Sequence, residues 1–90
     1  MNTKYRFTFS ATAIRQFENL GQDIKKRIQE KLTFWEDQEN PLWFAKTTPQ
    51  LHFASHRFRI GKYRVLCLAE SHDLVIVYIG PRENVYKAKN

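Results

Sequence analysis

Arginine side chains recur at short intervals in the second half of the chain. Arg57, Arg59 and Arg64 lie close together, and Arg82 follows later, with Tyr86 behind it. Arginine binds phosphate through a planar fork of N–H donors and keeps its charge at any cellular pH. Convergent cations of this kind also stabilise the charge that develops on a reacting phosphate. We interpret the group as a phosphate site; for one arginine alone, a solvated basic surface is the better explanation.

The spacing around a glycine predicts that three of these arginines share one patch. Gly61 and Lys62 lie between two alternating segments, as in a two-residue hairpin turn with glycine in the first central position. This turn places Arg59 directly opposite Arg64, and Arg57 points to the same face because side chains alternate along a strand. Like charges that face each other destabilise a sheet by roughly a few tenths of a kcal/mol. Folding alone would not select this arrangement.

Further candidates surround this patch. Arg82 ends the neighbouring strand, and a tail that folds back over the sheet would bring Arg82 and Tyr86 to the arginines. His56 titrates in a range that suits acid–base catalysis, but strand alternation points it away from the patch, so we rank it below Tyr86. Two lysines complete the set of candidate phosphate contacts, Lys62 and Lys87.

The composition favours a polyanionic partner. The formal charge is +6 and the sequence pI is about 9.7, which is typical of nucleic-acid-binding domains, although a basic solvated surface is the alternative. The lone cysteine, Cys67, excludes an internal disulfide and lies in an apolar run, where a buried, inert thiol is expected. The three histidines have no metal-ligand spacing. We therefore expect neither a metal site nor a cofactor.

Nothing in the sequence predicts a membrane segment. The first ten residues lack the apolar stretch of a signal peptide. The longest apolar run, residues 74–79, is far shorter than the roughly 20 residues that a membrane span needs. We expect a soluble, cytoplasmic protein without a membrane partner.

Hydrophobic periodicity predicts the order β-α-α-β-β-β. Residues 5–9 alternate as in a strand; Ser10 can cap a first helix, and Gly21 suits its C-terminal end. A second helix carries an apolar stripe and ends before Pro41; residues 42–50 are expected to form a loop. Strands follow over 56–60, 63–69 and 74–79. The expected fold is α+β, a single domain over residues 1–90 in which a helical hairpin covers one face of a small, mainly antiparallel sheet.

Two segments carry a resemblance to a known family. They are RFRIGKYRVL at positions 57–66 and IGPRENVY at positions 79–86. Together with the order of elements, they resemble the RelE/ParE superfamily of toxins from type II toxin–antitoxin systems, which have a microbial-RNase-like fold. RelE-type members cleave mRNA in the ribosomal A site, whereas ParE-type members inhibit DNA gyrase and tend to lack the catalytic arginine and tyrosine. All the RelE-type positions are filled here, which favours the ribonuclease.

The resemblance implies a ribosome-dependent, metal-independent endoribonuclease in which the 2′-hydroxyl of the RNA attacks the adjacent phosphate. Tyr86 would be the base, Arg59 and Arg64 would stabilise the phosphorane, and Arg82 would support the leaving group, while Arg57 would position the backbone. The implied partners are a cognate antitoxin, in a hetero-oligomer, and the ribosome with its mRNA. The alternatives are a ParE-type gyrase inhibitor and a non-catalytic RNA-binding homologue.

Overall fold

The helices and strands follow the expected order, with one additional short strand. The computed structural model describes residues 4–87, and the side chains of residues 4–85. Its elements are β1 (Arg6–Phe9), α1 (Ala11–Glu18), α2 (Gln22–Glu36), a first 3-10 helix (Pro41–Phe44), β2 (Lys46–Thr47), β3 (His56–Ile60), β4 (Tyr63–Glu70), β5 (Asp73–Pro81) and a second 3-10 helix (Arg82–Lys87). The strands form one five-stranded sheet in the order β1-β5-β4-β3-β2. β1 pairs with β5 in parallel, and the other pairs are antiparallel.

The first helix begins as the sequence predicts, but the role of Gly21 differs. The backbone N–H of Ala13 donates to Ser10 Oγ at 3.1 Å, which is the expected N-cap. α1 already ends at Glu18, and Asn19 caps its C-terminus. Gly21 has extended angles, φ −66° and ψ 157°, and is the N-cap of α2. The expectation that Gly21 ends α1 was wrong, because the short connection places this residue at the start of the next helix.

Both helices cover the same face of the sheet. Ile28, Leu32 and Trp35 of α2 are buried in one core cluster with Phe58 of β3. The rings of Trp35 and Phe58 lie 4.5 Å apart between centroids. Large aromatic rings bury much apolar area for their number, so this cluster makes a large contribution to the core of a short chain.

The segment expected to be a loop contains two ordered elements. The backbone N–H of Leu42 donates to Asn40 Oδ1 at 2.9 Å and starts the first 3-10 helix. β2 then pairs with β3, with Lys46 opposite Arg57. The interpretation of residues 42–50 as a loop was wrong, since a strand of two residues is too short to produce hydrophobic alternation.

The β3–β4 hairpin has the predicted register. Gly61 has φ +58°, a conformation that glycine adopts without steric cost. Arg59 pairs with Arg64 across the hairpin, and Arg64 pairs with Gly80 of β5. β5 lies between β1 and β4, which explains why residues 74–79 are apolar on both faces.

The second face of the sheet is partly covered by loop and tail. Leu51 and Ala54, from the connection before β3, form a small buried cluster with Leu66 and Val85. The rest of this face is open and carries the strand arginines. No helix in the described part of the chain is long and apolar enough to cross a membrane.

Candidate functional site

A cationic cleft lies on the open face of the sheet. Its volume is about 780 Å³. Its lining residues come from β2, β3, β4 and the segments that flank the sheet: Phe44, Lys46, Arg57, Arg59, Arg64, Arg82, Glu83 and Val85. Because the lining holds far more basic than acidic side chains, the potential in the cleft attracts anions.

Strand pairing arranges the basic residues of this cationic cleft in two rows. Lys46 faces Arg57 across β2 and β3, and Arg59 faces Arg64 across β3 and β4. Directly opposite residues in an antiparallel pair have Cβ atoms roughly 4.5–5.5 Å apart and point to the same side. The sheet therefore holds four cationic side chains within the span of a few phosphate groups.

Arg64 is the most enclosed of these cations. It is 8% exposed, and its Nη1 donates to the carbonyl oxygens of Gly61, at 3.1 Å, and Tyr63, at 2.9 Å. These bonds tie the guanidinium to the hairpin turn. A cation fixed in this way stabilises a developing negative charge without having to reorganise.

The second 3-10 helix is attached to the hairpin at its first residue. The backbone N–H of Arg82 donates to the carbonyl oxygen of Lys62 at 2.8 Å. Val85 anchors the same helix farther on, since it is 2% exposed and packs in the cluster with Leu66. These two contacts bring the exposed side chain of Arg82 to the cationic cleft.

A tyrosine of β5 covers the backbone beside Arg64. A Cβ atom on Gly80 would lie 2.7 Å from Cζ of Tyr78 and closer still to its hydroxyl oxygen, so the ring of Tyr78 lies over Gly80. Gly80 in turn pairs with Arg64. Burial raises the pKa of the Tyr78 hydroxyl above its ordinary value.

Comparisons with known proteins find similarity in the fold and not in the sequence. No protein-family model matches the sequence, and no curated protein matches it. A chain of the RelBE2 toxin–antitoxin complex from Mycobacterium tuberculosis superposes with a TM-score of 0.73 at 25% identity, over 88% of this chain and 99% of that chain. A chain of the RelB–RelE complex from Methanococcus jannaschii gives 0.70 at 17% identity, over 91% and 98%. The isolated RelE toxin of Escherichia coli gives 0.65 at 15% identity, over 93% of both chains.

The chain has the RelE toxin fold. Within this RelE fold, the sequence-predicted residues Arg57, Arg59, Arg64 and Arg82 all line one cleft. The backbone of Tyr86 lies in the second 3-10 helix, directly after the buried Val85. The side chains of Tyr86 and Lys87 lie outside the described residues.

The RelE fold does not bring two other candidates into the cleft lining. Lys62 is exposed at the tip of the hairpin, where its backbone carbonyl accepts from Arg82. His56 lies two residues before Phe58 on β3, so its side chain points to the same face as Phe58, which the helices cover. Its Nδ1 lies 2.9 Å from Ser55 Oγ, and burial lowers its pKa.

Sequence reasoning missed four of the residues that line the same cleft: Phe44, Lys46, Glu83 and Val85. Lys46 lies on the short strand β2, and Phe44 ends the 3-10 helix just before it. Neither has a periodic pattern that would reveal its position, since both reach the cleft through a pairing between distant parts of the chain. In the described residues, no cluster of three His, Cys, Asp or Glu side chains could hold a metal ion. Cys67 is buried, and burial raises the pKa of its thiol to about 12.

Proposed function

We propose that the chain is the toxin of a type II toxin–antitoxin system and that it inhibits translation by cleaving mRNA on the ribosome. One observation carries the proposal: Arg59, Arg64 and Arg82, from three different elements, line a single cleft on the open face of a RelE fold. The structural neighbours are RelE toxins, several of them in complexes with RelB antitoxins. The toxin assignment follows from that likeness, and the cleavage assignment from the cations.

The chemistry that suits such a cleft is attack by the RNA's own 2′-hydroxyl. The 2′-oxygen forms a bond to the adjacent phosphorus, and the bond from phosphorus to the 5′-oxygen breaks. The products are a 2′,3′-cyclic phosphate and a 5′-hydroxyl. The intermediate phosphorane carries more negative charge than the starting phosphodiester, and Arg59 and Arg64 stabilise that charge. Lys46 and Arg57, in the next row, bind the flanking backbone.

Proton transfer is assigned to the second 3-10 helix. Tyr86 accepts the proton of the 2′-hydroxyl, as the resemblance to RelE-type toxins implies; a cationic environment would favour its phenolate. Arg82 stabilises the leaving 5′-oxygen by charge, because a guanidinium hardly gives up its proton, and the 5′-oxygen takes a proton from solvent water to become the 5′-hydroxyl. His56, the other candidate for acid or base, lies on the face that the helices cover and is not part of the cleft lining.

Charge also supports a metal-independent reaction. The cleft is lined by five Lys or Arg side chains and one Glu, and such a potential repels divalent cations. A tyrosine and an arginine form a weak acid–base pair, so cleavage of free RNA should be slow. Orientation of the substrate by the ribosome can supply several kcal/mol of the missing rate enhancement.

An antitoxin is the second proposed partner. A domain with a formal charge of +6 and an open basic cleft is suited to an acidic or amphipathic segment, which would cover the cleft in a hetero-oligomer. Such an interface weakens as salt rises. Because mRNA is translated in the cytoplasm, the site of action that we propose is cytoplasmic.

Single-turnover cleavage of mRNA on programmed ribosomes tests the function. Wild type should cut a ribose substrate and leave a 2′-deoxy nucleotide at the same position uncut. Tyr86→Phe should lose about 10²–10⁴ in rate, as expected for loss of a general base. Tyr5→Phe is the matched control, because the ring of Tyr5 packs on His72 at the opposite edge of the sheet.

Each contrary result has a distinct meaning. A wild-type rate for Tyr86→Phe would make Tyr86 a packing residue and would rule it out as the base. A wild type that leaves mRNA intact but blocks DNA supercoiling by gyrase would replace the ribonuclease with a ParE-type inhibitor. Absence of both activities would leave a non-catalytic RNA-binding homologue.

A further inference from the structure

One exposed aromatic ring lies at an edge of the cationic cleft, next to two further exposed rings. Phe44 is 46% exposed and lines the cleft beside Lys46. Its neighbour Trp43 is 70% exposed, and Phe34 of α2 is 50% exposed. Folding gains little from rings that remain in water, since the hydrophobic effect scales with the area removed from it. The exposed part of the Phe44 ring beside the cleft therefore needs an explanation other than packing.

The ring of Phe44 is held in place despite its exposure. Its centroid lies 5.9 Å from that of Phe34, with the rings inclined at 74°, an edge-to-face contact that fixes one side of the ring. The backbone is held on both sides as well. The N–H of Ala45 donates to the carbonyl oxygen of Leu42 at 3.1 Å, and Lys46 pairs with Arg57. A ring supported in this way is a rigid surface beside a row of cations.

Cations together with an adjacent aromatic ring form the combination that binds single-stranded nucleic acid. The cations follow the phosphate backbone, and bases stack on the ring. Stacking tolerates any base because every base has a π face. The cleft supplies the first part through Lys46, Arg57 and Arg59, and Phe44, two residues before Lys46 in the chain, supplies the second at the edge of the cleft.

We propose that Phe44 is a stacking platform for one nucleobase of the single-stranded RNA whose backbone occupies the cationic cleft. This proposal rests on the proposed function and adds a base contact to a site otherwise built from charge. The base belongs to a nucleotide that flanks the scissile phosphate, because Phe44 adjoins the Lys46–Arg57 row rather than the Arg59–Arg64 row. Purines should bind better than pyrimidines, since they offer the larger stacking surface.

Binding of a short single-stranded oligoribonucleotide, 2′-O-methylated so that it cannot be cut, tests the stacking contact. Affinity is measured by fluorescence anisotropy at low salt for wild type, Phe44→Ala and Phe44→Trp, with an abasic nucleotide moved along the strand. Loss of one base–aromatic contact should weaken binding by roughly 5- to 150-fold. Phe44→Trp, which keeps an aromatic ring at this position, should bind the strand as tightly as wild type. Ile14→Ala is the matched control, since Ile14 is 44% exposed on α1, on the other side of the sheet.

The decisive readout is the coupling between the two changes. At one nucleotide position, removing the base should weaken binding to wild type but not to Phe44→Ala. The stacking proposal is wrong if the abasic nucleotide lowers the affinity of wild type and of Phe44→Ala equally at every position. It is also wrong if wild type does not bind the strand. If Phe44→Ala leaves RNA binding unchanged but weakens capture of the cognate antitoxin, the ring belongs to a protein interface, which also overturns it.

The same variants on programmed ribosomes separate this proposal from the proposed function. If wild type does not cleave but the coupling with the oligonucleotide is present, stacking stands and the nuclease assignment falls. If wild type cleaves and Phe44→Ala cleaves at the same rate and with the same base preference, stacking falls and the nuclease assignment stands. Circular dichroism is the control for folding, and it should show that Phe44→Ala is folded because the side chain of Phe44 is half-exposed.

Discussion

Arg59 and Arg64 face each other directly across the β3–β4 hairpin, yet their environments differ. Arg59 is exposed, whereas Arg64 is 8% exposed and donates to the carbonyl oxygens of Gly61 and Tyr63. The pair therefore combines one cation that belongs to the structure of the turn with one that water and ligands reach freely.

This asymmetry predicts different effects of the same substitution. Arg64→Ala removes two charge-assisted bonds and should lower the free energy of unfolding by about 1–3 kcal/mol. Arg59→Ala removes a like-charge neighbour and should leave stability unchanged or raise it by a few tenths of a kcal/mol. Urea unfolding measures both. Equal losses of stability in the two variants would contradict the view that Arg64, and not Arg59, anchors the turn. Cleavage of mRNA should fall in both variants.

Binding of RNA should depend on salt through the cations that line the cleft. Each phosphate contact contributes about 0.7 to the slope of log K against log salt for a single strand. Arg57→Gln and Arg82→Gln should each reduce the slope by about that amount. Arg15→Gln is the matched control, because Arg15 is exposed on α1, away from the cleft. A slope that is the same in all three variants and in wild type would argue against phosphate binding in the cleft.

The hairpin could be predicted from the sequence because its signals are local. Gly61 fixes the turn, the turn fixes the pairing of Arg59 with Arg64, and alternation then places Arg57. The apolar stripe of α2 is local in the same sense, since a helix brings residues three and four apart to one face. These features were enough to predict the covered and open faces of the sheet.

The rest of the cleft depends on contacts between distant parts of the chain. Lys46 reaches it through a pairing with Arg57 that two residues of β2 maintain, and no periodic pattern marks so short a strand. Phe44 looks like any apolar loop residue until that pairing is known. The attachment of Arg82 to the hairpin through a backbone hydrogen bond also leaves no trace in side-chain chemistry.

Gly80 should be difficult to replace because of Tyr78. Its φ is not in the left-handed region, so the backbone itself accepts alanine, but the new Cβ would lie 2.7 Å from Cζ of Tyr78. Gly80→Ala should cost about 1–3 kcal/mol of stability, as overpacking does. In a Tyr78→Leu background the same change should cost much less. Additive losses in this double-mutant cycle, measured by urea unfolding, would show that the ring of Tyr78 is not what excludes a side chain at Gly80.

Stability at high pH should reveal the burial of Cys67. Burial raises the pKa of its thiol from 9.0 to about 12, so the unfolded chain releases this proton near pH 9 while the folded chain keeps it until near pH 12. Above pH 9 the unfolded state therefore binds fewer protons, and the free energy of unfolding should fall as pH rises, by up to about 1.4 kcal/mol per pH unit from this group.

Cys67→Ala should lower stability at pH 7 through the lost packing but remove this part of the slope between pH 9 and 11. Tyr78, whose pKa burial also raises, contributes in the same direction, so Tyr78→Phe provides the comparison that separates the two groups. Parallel curves for wild type and Cys67→Ala would mean that the thiol is accessible to water in the folded protein, and a native thiol that reacts with a disulfide reagent at pH 8 would agree with that result.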